Sequence, residues 1–338
     1  MVEFWLGTFP IAGQTRALAE MAECDGWDGL AFTDSQSLSG DTFAALAIAA
    51  HATTTLKLAT GATNPATRHA AVIASAIATI QAESDGRAVL GIARGDSALA
   101  YLGRPPMPVH DFGLALEHIQ SYLRGQDVDL DGYASRIHWL RGQPKVPMSV
   151  AATGPRVIRL AARLAERVTF SVGAETGRLQ AAIAVARAAP RDPALPPLSL
   201  GAYVNAVAHP DVTVARALVR GRMGVYARFS SMDRAVLQSL SAADRGVTEQ
   251  LAATYDMHGH AASGARHEAA LTDEFVDRFG IVGPADLVAR RLRGLAALGL
   301  DHFVIVGHGR DTPPDVLRDS SARFARDVIP SVRGISPV

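Results

Sequence analysis

LKLATGATNPATRH, residues 56–69, reads as a strand that runs into a turn and then a helix. Leu56, Leu58 and Ala59 form the short apolar run of a buried strand. Gly61 opens backbone geometry closed to other residues. Thr63 and Asn64 bring side-chain donors and acceptors, and Pro65 holds Asn64 away from helical geometry. Arg68 and His69 then place charge and a titratable ring at the start of the next helix, near Ala70. A plain connector would also satisfy this pattern. What decides between the two is whether the same unit recurs, and where its turns gather.

It does recur. Working outward, short apolar runs stand at residues 2–7, 29–33, 56–60, 88–92, 147–151, 168–172, 198–207 and 302–306, and an amphipathic helical pattern follows each. Eight strand–helix units with strands apolar throughout imply a closed parallel sheet, a TIM (β/α)8 barrel of class α/β. A doubly wound open sheet is the alternative. It would carry a Gly-rich phosphate loop after an early strand, whereas the first run here ends in Gly7-Thr8-Phe9-Pro10. Two stretches interrupt the repeat within what reads as one domain over residues 1–338. Residues 126–140 read as a small hairpin insertion before strand five, with Asp131-Gly132 as its turn. Residues 231–280 form a longer insertion before strand eight, with a helix over 235–254 and a His- and Gly-rich loop of lid or solvent-facing type.

The composition, 48% hydrophobic and 20% charged over 338 residues, suits a globular core, and the formal net charge of +0 gives no electrostatic case for nucleic acid or an anionic membrane as partner. The single cysteine, Cys24, excludes an internal disulfide and reads as a packing residue of a helix. No basic-then-apolar leader and no long apolar run is evident, so a cytoplasmic location is the expectation.

In such a barrel the chemistry sits at the C-terminal ends of the strands. The exits carry Asp34-Ser35-Gln36, Gly61-Ala62-Thr63-Asn64, Ala93-Arg94-Gly95-Asp96-Ser97, Ala152-Thr153-Gly154-Pro155, Gly173-Ala174-Glu175 and Gly307-His308-Gly309-Arg310. They are rich in small residues and hydrogen-bonding groups. They contain no Ser/His/Asp set and no paired carboxylates that the sequence can place. No metal is expected, His258 and His260 being loop residues. Pro155 suits the first position of a helix, so Thr153 and the free N–H groups beside it could hold a phosphate, with Gly173 and Ala174 adjacent. Thr153 could equally be a helix cap. Small residues, scattered donors and no protein nucleophile together suit a site in which a cofactor carries the chemistry.

These residues resemble a known family. Asp34-Ser35-Gln36, TGATNPATRHAAV (60–72), LGIARGDSAL (90–99), VAATGPRVIRLA (150–161), SVGAE (171–175), LGAYVNAVAHPD (200–211) and DEFVDRFGIVGPAD (273–286) occur in order. The chain resembles the bacterial-luciferase-like flavin and deazaflavin oxidoreductases, in particular the branch similar to methylenetetrahydromethanopterin reductase. The resemblance implies a barrel with an insertion, a homodimer, and FMN or coenzyme F-420 as cofactor. It implies a bulge with a non-proline cis peptide, here Gly61-Ala62, that backs the ring. Thr63 and Asn64 would bond the ring edge, and Ser97 would stand near the ring or side chain. Ala152, Thr153, Gly154, Gly173 and Ala174 would surround the phosphate. Asp34 would lie near the reacting centre, and His260 in the insertion is the second catalytic candidate, beside Tyr255, His258 and Arg266. Three positions depart from the family pattern. Ala62 replaces a bulkier Val or Ile, Asp-Ser replaces the Asp-His of several deazaflavin enzymes, and Arg94 is large for its exit.

The implied activity is hydride transfer between F-420 and a small organic substrate. The alternatives are an FMN-dependent monooxygenase and a flavin-binding protein without turnover. A hydrolase or aldolase on the same barrel would need a metal or a Schiff-base lysine. Lys57 and Lys145 are the only lysines, and Lys57 lies away from its strand's exit.

Overall fold

The computed structural model describes residues 1–140 and 142–334. Eight parallel strands close into a barrel: β1 (Glu3–Thr8), β2 (Gly29–Phe32), β3 (Lys57–Thr60), β4 (Ala88–Ile92), β5 (Met148–Ala152), β6 (Arg167–Phe170), β7 (Ser199–Val204) and β8 (His302–Ile305). Neighbours follow chain order, and β1 pairs with β8 to close the ring. The principal helices are α1 (Thr15–Cys24), α2 (Thr42–Ala52), α3 (Ala70–Glu83), α4 (Val109–Leu123), α5 (Pro155–Leu164), α6 (Thr176–Arg187), α7 (Val212–Ser231), α8 (Ala242–Thr254), α9 (Asp273–Phe279), α10 (Ala285–Ala296) and α11 (Pro314–Arg323).

Strand alternation divides the core. Phe4, Leu6, Leu30, Phe32, Leu58 and Leu90 pack outward against the helices. Trp5, Ala31, Ala59, Val89, Tyr203 and Val304 belong to a second cluster that continues into the insertion before β8. This is the period-two pattern of a sheet apolar on both faces. Two glycines make room for large interior groups: a Cβ on Gly29 would run into the Trp5 ring, and one on Gly201 into the His302 ring. The interior also holds a polar chain. Thr169 Oγ1 lies 2.8 Å from Ser149 Oγ and 2.9 Å from His302 Nε2, and His302 Nδ1 lies 3.2 Å from Ser199 Oγ.

The hairpin forms from Val128–Leu130 and Tyr133–Ser135. Asp131 and Gly132 both take positive φ, 52° and 91°, as a two-residue turn of the primed type requires. Several expectations are corrected. The apolar run 198–207 is not one strand. β7 ends at Val204, and Ala206–Ala208 leaves the barrel to pair with Ile281–Gly283. The switch is fixed at Asn205, whose Nδ2 donates to Val306 O at 2.9 Å while its carbonyl accepts from Ile281 N at 2.8 Å. The expected helix over 235–254 is two helices, Arg234–Ser239 and α8. Ser241 accepts from Asp244 N and caps the second. Cys24 is exposed, at the last turn of α1, and is not part of the buried core. Among the described residues no helix is long and apolar enough to cross a membrane.

Candidate active site

The exits of the strands surround a cavity of about 820 Å³, a size that suits a cofactor or substrate. At the end of β3 the backbone leaves the ladder and rejoins it. Gly61 N donates to Phe32 O at 2.6 Å, and the Gly61-Ala62 peptide is cis. Thr63 N then donates to Gly91 O at 3.0 Å and bridges to Ile92. Gly61 and Ala62 therefore form a bulge in the cavity wall, as the resemblance implies.

Behind that bulge lies a buried polar knot. Asp34 is 5% exposed and lines the cavity. Thr63 Oγ1 donates to its Oδ2 at 2.6 Å, Arg68 Nε to the same oxygen at 3.2 Å, and Arg68 Nη2 to Oδ1 at 3.3 Å. Arg68 continues to Asp41, the cap of α2, at 2.7 Å. Thr63 is thus committed to Asp34 and does not line the cavity. Asn64 does line it. Its Oδ1 accepts from Ala66 N, Thr67 N and Thr67 Oγ1, the turn that Pro65 sets up, and this leaves the amide nitrogen for a ligand. Gly95, at φ 76°, lets the β4 exit pass close to Asn64. Ser97 lines the next part of the wall. Its neighbour Asp96 pairs with Arg228 of α7 at 2.8 Å.

At the β5 exit Gly154, not Thr153, takes the cap position of α5, with Pro155 at the first turn and no side-chain cap bond. Thr153 faces the cavity and makes no hydrogen bond among the described residues. Arg94, Arg156 and Arg234 line the same rim. Asp233 packs its carboxylate on Gly154, where a Cβ would come within 2.5 Å of Oδ2. Ala152, Gly173 and Ala174 are not brought to the cavity wall. Gly173 is covered by the Phe279 ring, and Ala174 N donates to Phe279 O at 2.7 Å. The small residue of the β6 exit that does reach the cavity is Ser171, whose buried Oγ has no partner.

The insertion closes the far side. Of the pair His258 is exposed, while His260 is buried and lines the cavity, which removes the solvent-facing alternative for His260. Its Nδ1 lies 2.7 Å from the Tyr255 hydroxyl, and Tyr255 stacks on the buried His267 ring at 4.2 Å. Burial, then the charges of Arg222 and Arg228, lower the His260 pKa to about 3. The imidazole is therefore neutral near pH 7. Burial also raises the Tyr255 hydroxyl above its ordinary value, so it stays protonated. Tyr101 Oη donates to Met257 O at 2.7 Å and ties the loop to the β4 exit. Among the described residues no cluster of His, Cys, Asp and Glu could hold a metal.

Sequence reasoning missed Arg222, Tyr226, Ser171 and Asp233. For Arg222 a signal was present. Ala215, Val219, Arg222 and Tyr226 follow helical spacing on the buried face of α7, so a charge stood at a core position.

The chain matches the luciferase-like monooxygenase family over residues 7–302. It is similar to 5,10-methylenetetrahydromethanopterin reductase of Methanolobus tindarius, 29% identical over 300 residues that span 85% of this chain and 87% of the relative. The same enzyme of Archaeoglobus fulgidus is 28% identical over 327 residues, spanning 93% and 94%. The fold superposes on the coenzyme F-420 dependent tetrahydromethanopterin reductase of Methanopyrus kandleri with a TM-score of 0.77 and 20% identity, covering 97% of this chain and 99% of that one. Since the family match takes in every barrel strand, in whole or in part, the chain belongs to the luciferase-like monooxygenase family.

Proposed function

We propose that this protein is an oxidoreductase that moves a hydride between coenzyme F-420 and a small organic substrate. The observation that carries the reading is the cavity. It gathers small residues and hydrogen-bonding groups from the exits of β2 to β5, and among the described residues no cluster of His, Cys, Asp and Glu could hold a metal. The similar relatives, over 85% and 93% of the chain, are methylenetetrahydromethanopterin reductases.

The residues present fit such a cofactor. Ser171 Oγ is a buried orphan on the cavity wall, and Thr153 has no hydrogen-bond partner among the described residues. Gly61 and Ala62 would back the ring, and Asn64 and Ser97 would supply hydrogen bonds to it. Thr153, Gly154 and the N-terminus of α5, with Arg156 nearby, would hold the phosphate, the helix end favouring an anion. Asp233 must yield some of that place, since its carboxylate already lies on Gly154. Bound there, the cofactor supplies or accepts the hydride. The chain's own part is to position and to exclude water. Thr63 and Arg68 hold Asp34 at the wall with its oxygens fixed. His260 presents a neutral ring oriented by Tyr255, able to donate or accept, according to its tautomer, one hydrogen bond at Nε2. The same reading takes the enzyme to be cytoplasmic and, as the resemblance implies, a homodimer.

Titration of the purified protein with F-420 and with FMN, followed by fluorescence, tests the proposal. Tighter binding of F-420 is expected. Binding of neither at micromolar concentration overturns it. Oxygen uptake on addition of reduced FMN would mark a monooxygenase instead.

A further inference from the structure

Arg222 is 3% exposed, lies on the cavity wall, and enters no salt bridge among the described residues. Its guanidinium sits 4.0 Å over the Phe9 ring, and Nη2 donates to Thr33 Oγ1 at 3.1 Å. Nη1 is buried without a hydrogen-bond partner. The groups that feel its charge, Tyr203, Tyr226, His260 and His308, are neutral near pH 7. A buried cation walled by rings and neutral groups is costly to the free protein, and breaking or omitting the counter-charge is the expensive part. Other arginines near the cavity differ. Arg228 has Asp96, Arg68 has Asp34 and Asp41, and the rim arginines Arg94, Arg156 and Arg234 are not buried as Arg222 is.

Its place separates it from the cofactor's phosphate. Phe9 and Thr33 follow β1 and β2, whereas Thr153 and Arg156 follow β5. We propose that Arg222 receives a carboxylate of the substrate, so that the enzyme acts on a small organic acid. The inference rests on the oxidoreductase reading above. A single guanidinium with one free nitrogen, flanked by aromatic rings, suits a monoanion. A phosphate dianion would call for a second cation, and among the described residues no other arginine lies over the Phe9 ring or hydrogen-bonds Thr33. Tyr226 and His260 complete the pocket as neutral hydrogen-bonding groups.

The test uses Arg222→Met and Arg222→Lys, with acetate, benzoate, acetamide, benzamide and inorganic phosphate as probes. Binding is measured by calorimetry on the protein with and without cofactor. A carboxylate is expected to bind the wild type at least about tenfold more tightly than its amide. Arg222→Met should abolish that preference, leave F-420 affinity within about twofold, and raise the melting temperature of the free protein. Arg222→Lys should keep part of the preference. Equal binding of acid and amide, stronger binding of phosphate, or loss of F-420 affinity in Arg222→Met would overturn the assignment. A protein that binds neither F-420 nor FMN defeats the oxidoreductase reading separately, because the acid–amide comparison is made without cofactor as well.

Discussion

Asp34 accepts from Thr63 Oγ1 at 2.6 Å and from Arg68 at 3.2 and 3.3 Å, all within the buried wall behind the β3 bulge. Removing the short hydroxyl bond leaves a buried carboxylate oxygen with one weaker donor. Thr63→Val is therefore expected to lower the unfolding free energy by about 2 kcal/mol, with Thr63→Ser close to wild type, as measured by urea denaturation. A loss in Thr63→Ser with none in Thr63→Val would show that the methyl group, not the hydroxyl, matters. Thr153 gives the opposite expectation. Its hydroxyl has no partner among the described residues, so Thr153→Val should leave stability within about 0.5 kcal/mol. It should weaken F-420 binding about tenfold, the worth of one hydrogen bond to a charged group. Unchanged affinity in a fluorescence titration would show that the phosphate lies elsewhere. The two threonines also mark what sequence could show at this scale. Both were legible as polar groups at strand exits. Which one faces the ligand was not, because the partner of Thr63 lies 29 residues away. Gly173 and Ala174 illustrate the same limit, for Phe279 of the insertion covers them.

At the scale of elements, the barrel separates its two ends. The C-terminal ends of the strands carry the cavity, and the N-terminal ends carry structural ties. Arg87, just before β4, is the clearest of these. Its Nε donates to Ser84 O, Nη1 to Leu56 O and Thr53 Oγ1, and Nη2 to Ala50 O and Thr53 O, at 2.7–2.9 Å. One side chain so satisfies carbonyls at the end of α2, in the loop to β3 and at the end of α3. Arg87→Met would strand several of them. It is expected to cost about 3 kcal/mol of stability while cofactor affinity stays within about twofold. A large loss of affinity at unchanged stability would break the division between the two ends. The eight apolar runs were legible because each strand is buried on both faces and bounded by turn residues. The end of β7 was not legible, because residues 198–207 stay apolar across Asn205 while the chain changes partner. Periodicity reports burial, and burial continued. The split of the insertion's helix at Ser241 had a local signal, a serine three residues before Asp244, which the longer helical reading overrode.

Over the whole molecule, buried imidazoles set the response to acid. His260 is lowered to about 3, first by burial and then by Arg222 and Arg228. His308 is lowered to about 4 by burial and Arg222. His302, inside the barrel, is lowered well below the ordinary value by burial and Arg167. A histidine of depressed folded pKa contributes stability that is full above its unfolded value, near 6.5, and is lost as pH falls toward the folded value. Below about 6.5 the unfolded chain thus binds three protons that these residues refuse in the native state, and burial lowers His267 in the same direction. Stability should be nearly flat from pH 8 to 7 and then fall by roughly 4 kcal/mol per pH unit near pH 5. Carboxylates add to the loss only at lower pH. Glu3, which burial would raise but Arg167 and Lys57 hold at about 2, begins to contribute below about 4.5. Urea unfolding at pH 7.5, 6.0 and 5.0 measures the slope, and His308→Gln should reduce it by about a third. A stability that stays level down to pH 5 would mean that these rings gain protons in the folded state. The neutral His260 on which the proposed site depends would then be lost with them.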